Sequence, residues 1–190
     1  MYYVTVYKGP FAFVKPWTAV RDNSTFSQQF LTPSIIEGIE KKLFPELLSK
    51  QGISCIKRHK LSYTSISSQQ EVTQTRGIDT DKKGRIKGPR KRSIISRGVC
   101  VDPVLYLAFE NENEAFQAST QHVCLCRNED LLFPEADVLT MTEEEFNQLV
   151  GFELRFNEPE DTFLVGYNRF ANAEPMYGRL EITGKPVLGY

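Results

Sequence analysis

Histidine is scarce in this chain, with only His59 and His122, and tryptophan occurs once, at Trp17. No apolar run reaches the roughly 18 residues that a membrane span needs. The N-terminus, MYYVTVYKGPF, lacks the charged start, apolar middle and small-residue cleavage site of a signal peptide. The expectation is a cytoplasmic protein with no membrane partner. No Gly-Lys-Ser/Thr phosphate loop is present, and no G-x-G-x-x-G follows a strand. H-E-x-x-H and G-x-S-x-G are also missing. The four cysteines, Cys55, Cys100, Cys124 and Cys126, make no zinc pattern, because Cys124-Leu125-Cys126 has one spacer and no matching pair. Neither a metal site nor a cofactor is expected. In a strand, one spacer puts both thiols on one face, which predicts buried apolar cysteine.

What the chain does have is charge of one sign gathered into one segment. Between Lys57 and Arg97 lie twelve basic residues against Glu71, Asp79 and Asp81, a net of +9. The remainder carries eleven basic residues against twenty-one acids, a net of −10, and the whole chain is −1. A near-neutral protein that concentrates its cations in this way is built to present them to a polyanion, by salt-dependent counterion release. The alternative is a solvated surface loop. The middle of the segment, DTDKKGRIKGPRKR, has few apolar residues and holds Gly84, Gly88 and Pro89, so it predicts a mobile arm. From Glu110 to Asp161 fourteen acids face only Arg127 and Arg155. Such a surface repels nucleic acid and suits solvent or a basic protein partner.

At 190 residues and 41% apolar content the chain fits one domain with a small appendage. Tyr3 to Tyr7 predict an opening strand that Gly9-Pro10 ends. The following loop carries Phe11, Phe13, Trp17 and Phe26 beside Lys15 and Arg21, a composition that serves base stacking and phosphate contact or, equally, packing over the core. Thr32-Pro33 predict a helix start, with Thr32 as cap. Ile35, Ile36, Ile39, Leu43 and Leu47 follow the helical period, and Gly52 stops the element. Gly38 inside that helix signals close packing or close approach of a ligand. Extended chain from Ile53 to Ser67 and a return strand from Arg92 to Phe109 predict a hairpin with a basic tip. The order β–α–β–β begins a ferredoxin-like or RRM-like unit, and the fold class is α+β. Residues 1–110 are expected to form this unit, including a basic arm over 68–97, and residues 111–190 a smaller acidic, β-rich part. His122 to Cys126 reads as a strand with His122 in the core. Thr142 to Glu145 form a capping box for a helix through Val150. Phe152–Phe156 and Thr162–Tyr167 alternate like a hairpin, with short strands to follow at Met176–Ile182 and Val187–Tyr190.

Charge and loop composition nominate an RNA-binding set: Lys15, Trp17 and Arg21 in the aromatic loop, and Lys57, Arg58, Lys60, Arg76, Lys82, Lys83, Arg85, Lys87, Arg90, Lys91, Arg92 and Arg97 in the basic segment. Metal-independent RNA cleavage needs a base for the 2′-hydroxyl and an acid for the leaving oxygen. His59 with Lys57, Lys60 and Tyr63 is the one candidate cluster, and neighbouring cations would favour the neutral imidazole. The alternative is that His59 is a polar contact on a basic strand.

Several motifs resemble the Cas-five family in the RAMP superfamily of CRISPR–Cas proteins. Gly9-Pro10-Phe11-Ala12-Phe13 is similar to the end of that family's first strand. Leu31-Thr32-Pro33-Ser34-Ile35-Ile36-Glu37-Gly38-Ile39 resembles its P-S-x-x-x-G helix start, and residues 56–72 with 92–110 look like its strand–arm–strand block. Leu125-Cys126-Arg127-Asn128-Glu129 is similar to its L-G-R-x-E/D motif, with Cys126 in the glycine place. The similarity covers residues 1–132, with a short echo at Tyr177-Gly178-Arg179-Leu180. It implies a RAMP fold with a hairpin thumb, and adds Ser34, Gly38 and Arg127 to the RNA-binding set. It also implies a crRNA-binding subunit that caps the 5′ handle of guide RNA in a Cascade-like effector, type I or type IV, for antiviral defence. The partners implied are crRNA, backbone RAMP subunits, a large subunit and, indirectly, the target nucleic acid. The cleaving branch of the family carries a tyrosine late in the first helix, and here Phe44, which has no hydroxyl, stands there. A non-catalytic role follows; the alternatives are an endoribonuclease processing precursor crRNA and a generic RRM-like nucleic-acid-binding protein.

Overall fold

The computed structural model describes residues 1–18, 24–73, 77–89, 92–156 and 161–187. In chain order the elements are β1 (Tyr2–Lys8), β2 (Phe11–Ala12), β3 (Ser24–Phe26), α1 (Pro33–Leu43), β4 (Ile56–Ser62), β5 (Ser65–Val72), β6 (Ile78–Thr80), β7 (Ile86–Pro89), β8 (Ile94–Val101), β9 (Val104–Phe109), α2 (Glu112–Ser119), β10 (Val123–Cys124), β11 (Leu131–Pro134), β12 (Leu139–Met141), α3 (Glu143–Gln148), β13 (Gly151–Arg155), β14 (Phe163–Asn168) and β15 (Glu174–Thr183). The protein is mixed α+β, rich in sheet, with three short helices among the described residues. None of them is long and apolar enough to cross a membrane.

One sheet runs through both halves of the chain in the order β10-β11-β1-β9-β4-β13-β15-β14, with β12 also on β1. At its centre β9 pairs antiparallel with β1 from Tyr3↔Phe109 to Lys8↔Val104, and with β4 from Ile56↔Phe109 to Ser62↔Val104. Strand alternation sends Tyr7, Leu61, Leu105, Leu107 and Phe109 to one face, where Ile36, Ile39 and Leu43 of α1 and Ala115 and Ala118 of α2 cover them. Thr5 Oγ1 donates to Ala115 O at 2.9 Å and Tyr7 Oη to Ala118 O at 2.7 Å, which bolts α2 to β1. Val4 and Ala108 point the other way and pack under Phe146 of α3.

The β4–β9 hairpin does not stop at the sheet edge. At Tyr63–Thr64 and Asp102–Pro103 both strands turn and continue as β5 and β8, paired from Ser65↔Val101 to Val72↔Ile94 in a second sheet with β2 and β3. Asp102 takes φ 48 at this corner, and Thr64 N–H donates to Val101 O at 2.9 Å. Beyond it β6 and β7 pair as a two-stranded ladder within the segment the sequence reads as the mobile, basic tip of a hairpin arm.

Other elements also depart from expectation. The first helix ends at Leu43 because Phe44 precedes Pro45 and is held at φ −128, ψ 78; Pro45–Leu47 is a single 3-10 turn. Thr32 makes no side-chain cap, its hydroxyl lying 3.4 Å from Ser34 Oγ instead. The sequence reading missed α2, whose Asn111 side chain caps Asn113 N–H at 2.9 Å. The Thr142–Glu145 capping box is present, but its helix ends at Gln148 rather than Val150. β13 and β14 do not pair with each other; each pairs with β15, and β13 also closes on β4. His122 is exposed and lies 6.1 Å from the Phe133 ring, because the expected strand covers only Val123–Cys124. For the same reason Cys126 is exposed and Cys124 half-buried; among the cysteines only Cys100 is fully buried.

Two acids on α1 fix the chain that leads into β4. Glu40, 1% exposed, accepts backbone N–H groups of Ser54 (2.6 Å), Cys55 (2.7 Å) and Ile56 (2.8 Å). Glu37 accepts Lys41 Nζ at 2.5 Å and Gly52 N–H at 2.9 Å. Charge-assisted bonds of this kind are stronger than neutral ones, and removing the acceptor strands buried donors. Glu40→Ala is expected to lower unfolding free energy by about 3 kcal/mol in urea titration; a change under about 0.5 kcal/mol would contradict this anchoring.

Candidate nucleic-acid interface

The arm carries its cations outward. Asp81 Oδ1 accepts the N–H of Lys83 (2.8 Å) and of Arg85 (2.9 Å), and Gly84 supplies φ 75, so a tight Asx turn closes β6 to β7. Lys82, Lys83, Arg85 and Lys87 are all exposed on it, as is Arg92 at the start of the return. Arg85 is 3.4 Å from Asp81. Ile78 and Ile86 are exposed beside them, at 55% and 73%, so the arm has no core of its own. Arg21, Arg76, Arg90 and Lys91, also nominated from the sequence, lie outside the described residues.

At the root of the arm the cations are engaged. Arg127 donates Nη2 to Asp130 Oδ1 at 2.7 Å and Nε to Oδ2 at 3.0 Å; its backbone N–H also reaches Oδ2 at 3.0 Å. Asp130 is fully buried. Arg127 Nη1 also pairs with Glu71 of β5, and Arg97 Nε of β8 lies 3.8 Å from the same carboxylate. Both guanidiniums sit over the Phe13 ring, at 5.4 and 5.7 Å. The hydrogen bonds to Asp130 raise the Arg127 pKa further above its ordinary value. Arg127 is thus a bracket between the arm's first strand and the body.

A groove opens over the start of α1. Ser34, Lys15, Trp17, Cys126 and Tyr167 border one cavity of about 140 Å3. Lys15, Gly38, Cys126 and Arg169 border a neighbouring one of about 300 Å3. The Arg169 guanidinium occupies the space a side chain at Gly38 would fill, so the glycine lets this flexible side chain lie against the helix. Ser34 itself is buried. Trp17 is 47% exposed and meets Tyr167 edge-on at 5.6 Å, while Gly166, at φ 136, lets the backbone pass close to the indole. The aromatic loop therefore divides: Phe13 is core, while Trp17 and Phe26 face out. The sequence reading missed Arg169 and Tyr167. Their one sequence signal was the polar turn after an alternating strand.

The β4 residues separate by strand parity. Arg58 and Lys60 point to the α3 face and are 5% and 1% exposed. Arg58 Nη2 binds Glu153 at 2.8 Å and Asn147 Oδ1 at 2.9 Å; Lys60 Nζ binds the carbonyls of Asn147 and Leu149, both at 2.8 Å, and Thr183 Oγ1 at 3.1 Å. His59 and Tyr63 lie on the opposite face. Tyr63 Oη accepts from Gln29 Nε2 at 2.7 Å and its ring stacks on Phe152 at 6.0 Å. His59 stacks on Phe156 at 6.0 Å. Burial, then the charges of Arg58 and Arg155, push its pKa down to about 3. Lys57 alone is exposed, bonded to Ser54 O at 2.8 Å. The cluster His59, Lys57, Lys60 and Tyr63 is therefore divided between two faces of the sheet and solvent. Among the described residues no group of His, Cys, Asp and Glu could hold a metal ion.

No protein-family model matches the sequence, and no curated protein matches it. The fold is similar to a solved chain described as "CRISPR RNA-guided surveillance complex", with TM-score 0.57 and 11% identity over 96% of this chain and 90% of that one. At that identity the likeness is one of fold.

His59 also sets a pH dependence. Its unfolded pKa of about 6.5 exceeds the folded value of about 3, so the unfolded chain takes up the proton first. Its contribution to stability is complete above pH 6.5 and is lost as pH falls towards 3. From pH 7 to pH 5 the native protein is expected to lose about 2 kcal/mol more than His59→Gln in urea titrations. Identical pH slopes would mean that His59 is not held neutral in the fold.

Proposed function

We propose that this chain is a crRNA-binding subunit of the Cas-five type, a non-catalytic member of the RAMP superfamily that caps the 5′ handle of guide RNA in a Cascade-like antiviral effector. The observation that carries the proposal is the fold likeness to a chain of an RNA-guided surveillance complex over nearly the whole length. The basic arm projecting from an otherwise acidic body adds to it. Further support comes from the sheet order β11-β1-β9-β4, with α1 after β1 and α2 after β9, which is the connectivity of a βαββαβ unit.

Of the residues nominated from sequence, the exposed ones are assigned to RNA: Lys82, Lys83, Arg85, Lys87 and Arg92 on the arm, Lys15 and Trp17 in the groove, and Lys57 on β4, with Arg169 added. Lys and Arg grip phosphates, and the indole stacks a base. Arg58 and Lys60, with their buried partners, hold α3 and β13 to β4. The non-catalytic assignment rests on Phe44, which has no hydroxyl, and on the burial of His59, which keeps its imidazole from a bound strand and, with a pKa pushed down to about 3, makes it a weak base and no acid near neutral pH. The acidic surface over 110–161 is assigned to protein neighbours, a backbone RAMP subunit among them.

Replacing Lys82, Lys83, Arg85 and Lys87 together by alanine is expected to leave the fold intact, weaken RNA binding and flatten the salt slope by roughly 0.7 per lost phosphate contact. An unchanged slope in fluorescence anisotropy would remove the arm from the interface. Incubated with precursor guide RNA, the protein should leave it uncut. A discrete product that disappears in His59→Ala would replace the binding role with the endoribonuclease one.

A further inference from the structure

Apart from the groove that holds Trp17, a cleft of about 600 Å3 lies on the other side of the first turns of α1, between the 52–57 segment and the β14–β15 hairpin. Phe156, Tyr177 and Met176 give it flat apolar walls, and Lys57, Asn168 and Glu37 supply its polar groups. Glu37 is 1% exposed. Its Oε1 already accepts from Lys41 and Gly52. Among the described residues its Oε2 has only Asn168 Nδ2 at 3.5 Å, the outer limit of a hydrogen bond. A buried carboxylate oxygen with so little donated to it favours a ligand that brings N–H groups and disfavours one that brings oxygen. Lys57, exposed at the rim, donates to Ser54 O and lies 3.6 Å from Glu110 Oε2, so an anion there competes with Glu110 for the ammonium.

A flat apolar body, an amino edge and an anionic tail together describe a nucleotide whose base bears an exocyclic amine. We propose that this cleft takes one unpaired adenine, cytosine or guanine of the bound RNA, with the base against Tyr177 and Phe156, its amino edge towards Glu37 Oε2 and its phosphate towards Lys57. Uracil is disfavoured, because carbonyl oxygens flank its single ring N–H and would oppose the carboxylate. This inference rests on the RNA-binding role proposed above. Continuity with the groove favours RNA over a peptide. Met176 lines both the cleft and the cavity that holds Lys15 and Trp17, and Asn168 of the cleft adjoins Arg169 of the groove. A single strand crossing the first turn of α1 meets both.

Labelled octamers of cytidine and of uridine, titrated by anisotropy at one salt concentration, separate the amine from general stacking. The native protein is expected to bind the cytidine octamer roughly tenfold more tightly. Tyr177→Ala, at a residue 52% exposed, removes a wall without touching the core; Glu37→Gln removes the carboxylate. Both should lower cytidine affinity to the uridine level and leave uridine affinity unchanged. Equal affinity for the two octamers in the native protein overturns the cleft assignment while leaving the RNA-binding role in place. So does a cytidine preference that survives both variants, or an equal loss for both octamers in Tyr177→Ala. Binding of neither octamer overturns the RNA-binding role and the cleft assignment with it.

Discussion

The architecture depends on one long antiparallel hairpin that belongs to two sheets. Its inner half, β4 and β9, is the centre of the main sheet and supplies Leu61, Leu105, Leu107 and Phe109 to the core. Its outer half, β5 and β8, turns out of that sheet and carries the arm. Because the same two strands do both, the position of the arm's root, β5 and β8, is set by the best-packed part of the molecule. Glu71 reinforces this by tying β5 to Arg127, which Asp130 fixes to the body.

The positive charge concentrated in one segment serves two physical purposes. Arg58 and Lys60 sit under α3, where Glu153 and the Asn147 side chain hold Arg58, backbone carbonyls hold Lys60, and the Phe146 ring lies at 5.0 and 5.6 Å. There a cation is a structural group, and losing its partner would strand a buried charge. Lys82, Lys83, Arg85 and Lys87 sit on the ladder beyond the second sheet, in solvent. Net charge counts these two sets alike, but only the second can exchange counterions for phosphates.

This explains how far the sequence could be read. The opening strand, the first helix, the hairpin and the α3 capping box were legible because each has a local signature in period, proline or cap. The end of the first helix was misplaced because the apolar period continues to Leu47 through Pro45, and the proline's restriction of Phe44 overrides the period. Pairing was less visible. β13 alternates as a strand should, but that it closes on β4 through Phe152↔Leu61 depends on tertiary contacts no short window holds. For the candidate site, the exposed arm was readable from composition. The burial of Arg58 and Lys60 was not, because their acidic and carbonyl partners lie about ninety residues away at Asn147 and Glu153, and that of His59 was not, because it stacks on Phe156 of a distant strand end. Arg169, which takes the space left by Gly38, was invisible for the same reason.

The central claim is that this fold holds a guide RNA by its end. Isolating this chain from its native cells with whatever it binds, and sequencing the RNA that comes with it, tests that claim most directly. The account predicts short RNAs sharing one repeat-derived 5′ end, protected at that end by this chain. Recovery of no RNA, or of RNA with random ends, would contradict it.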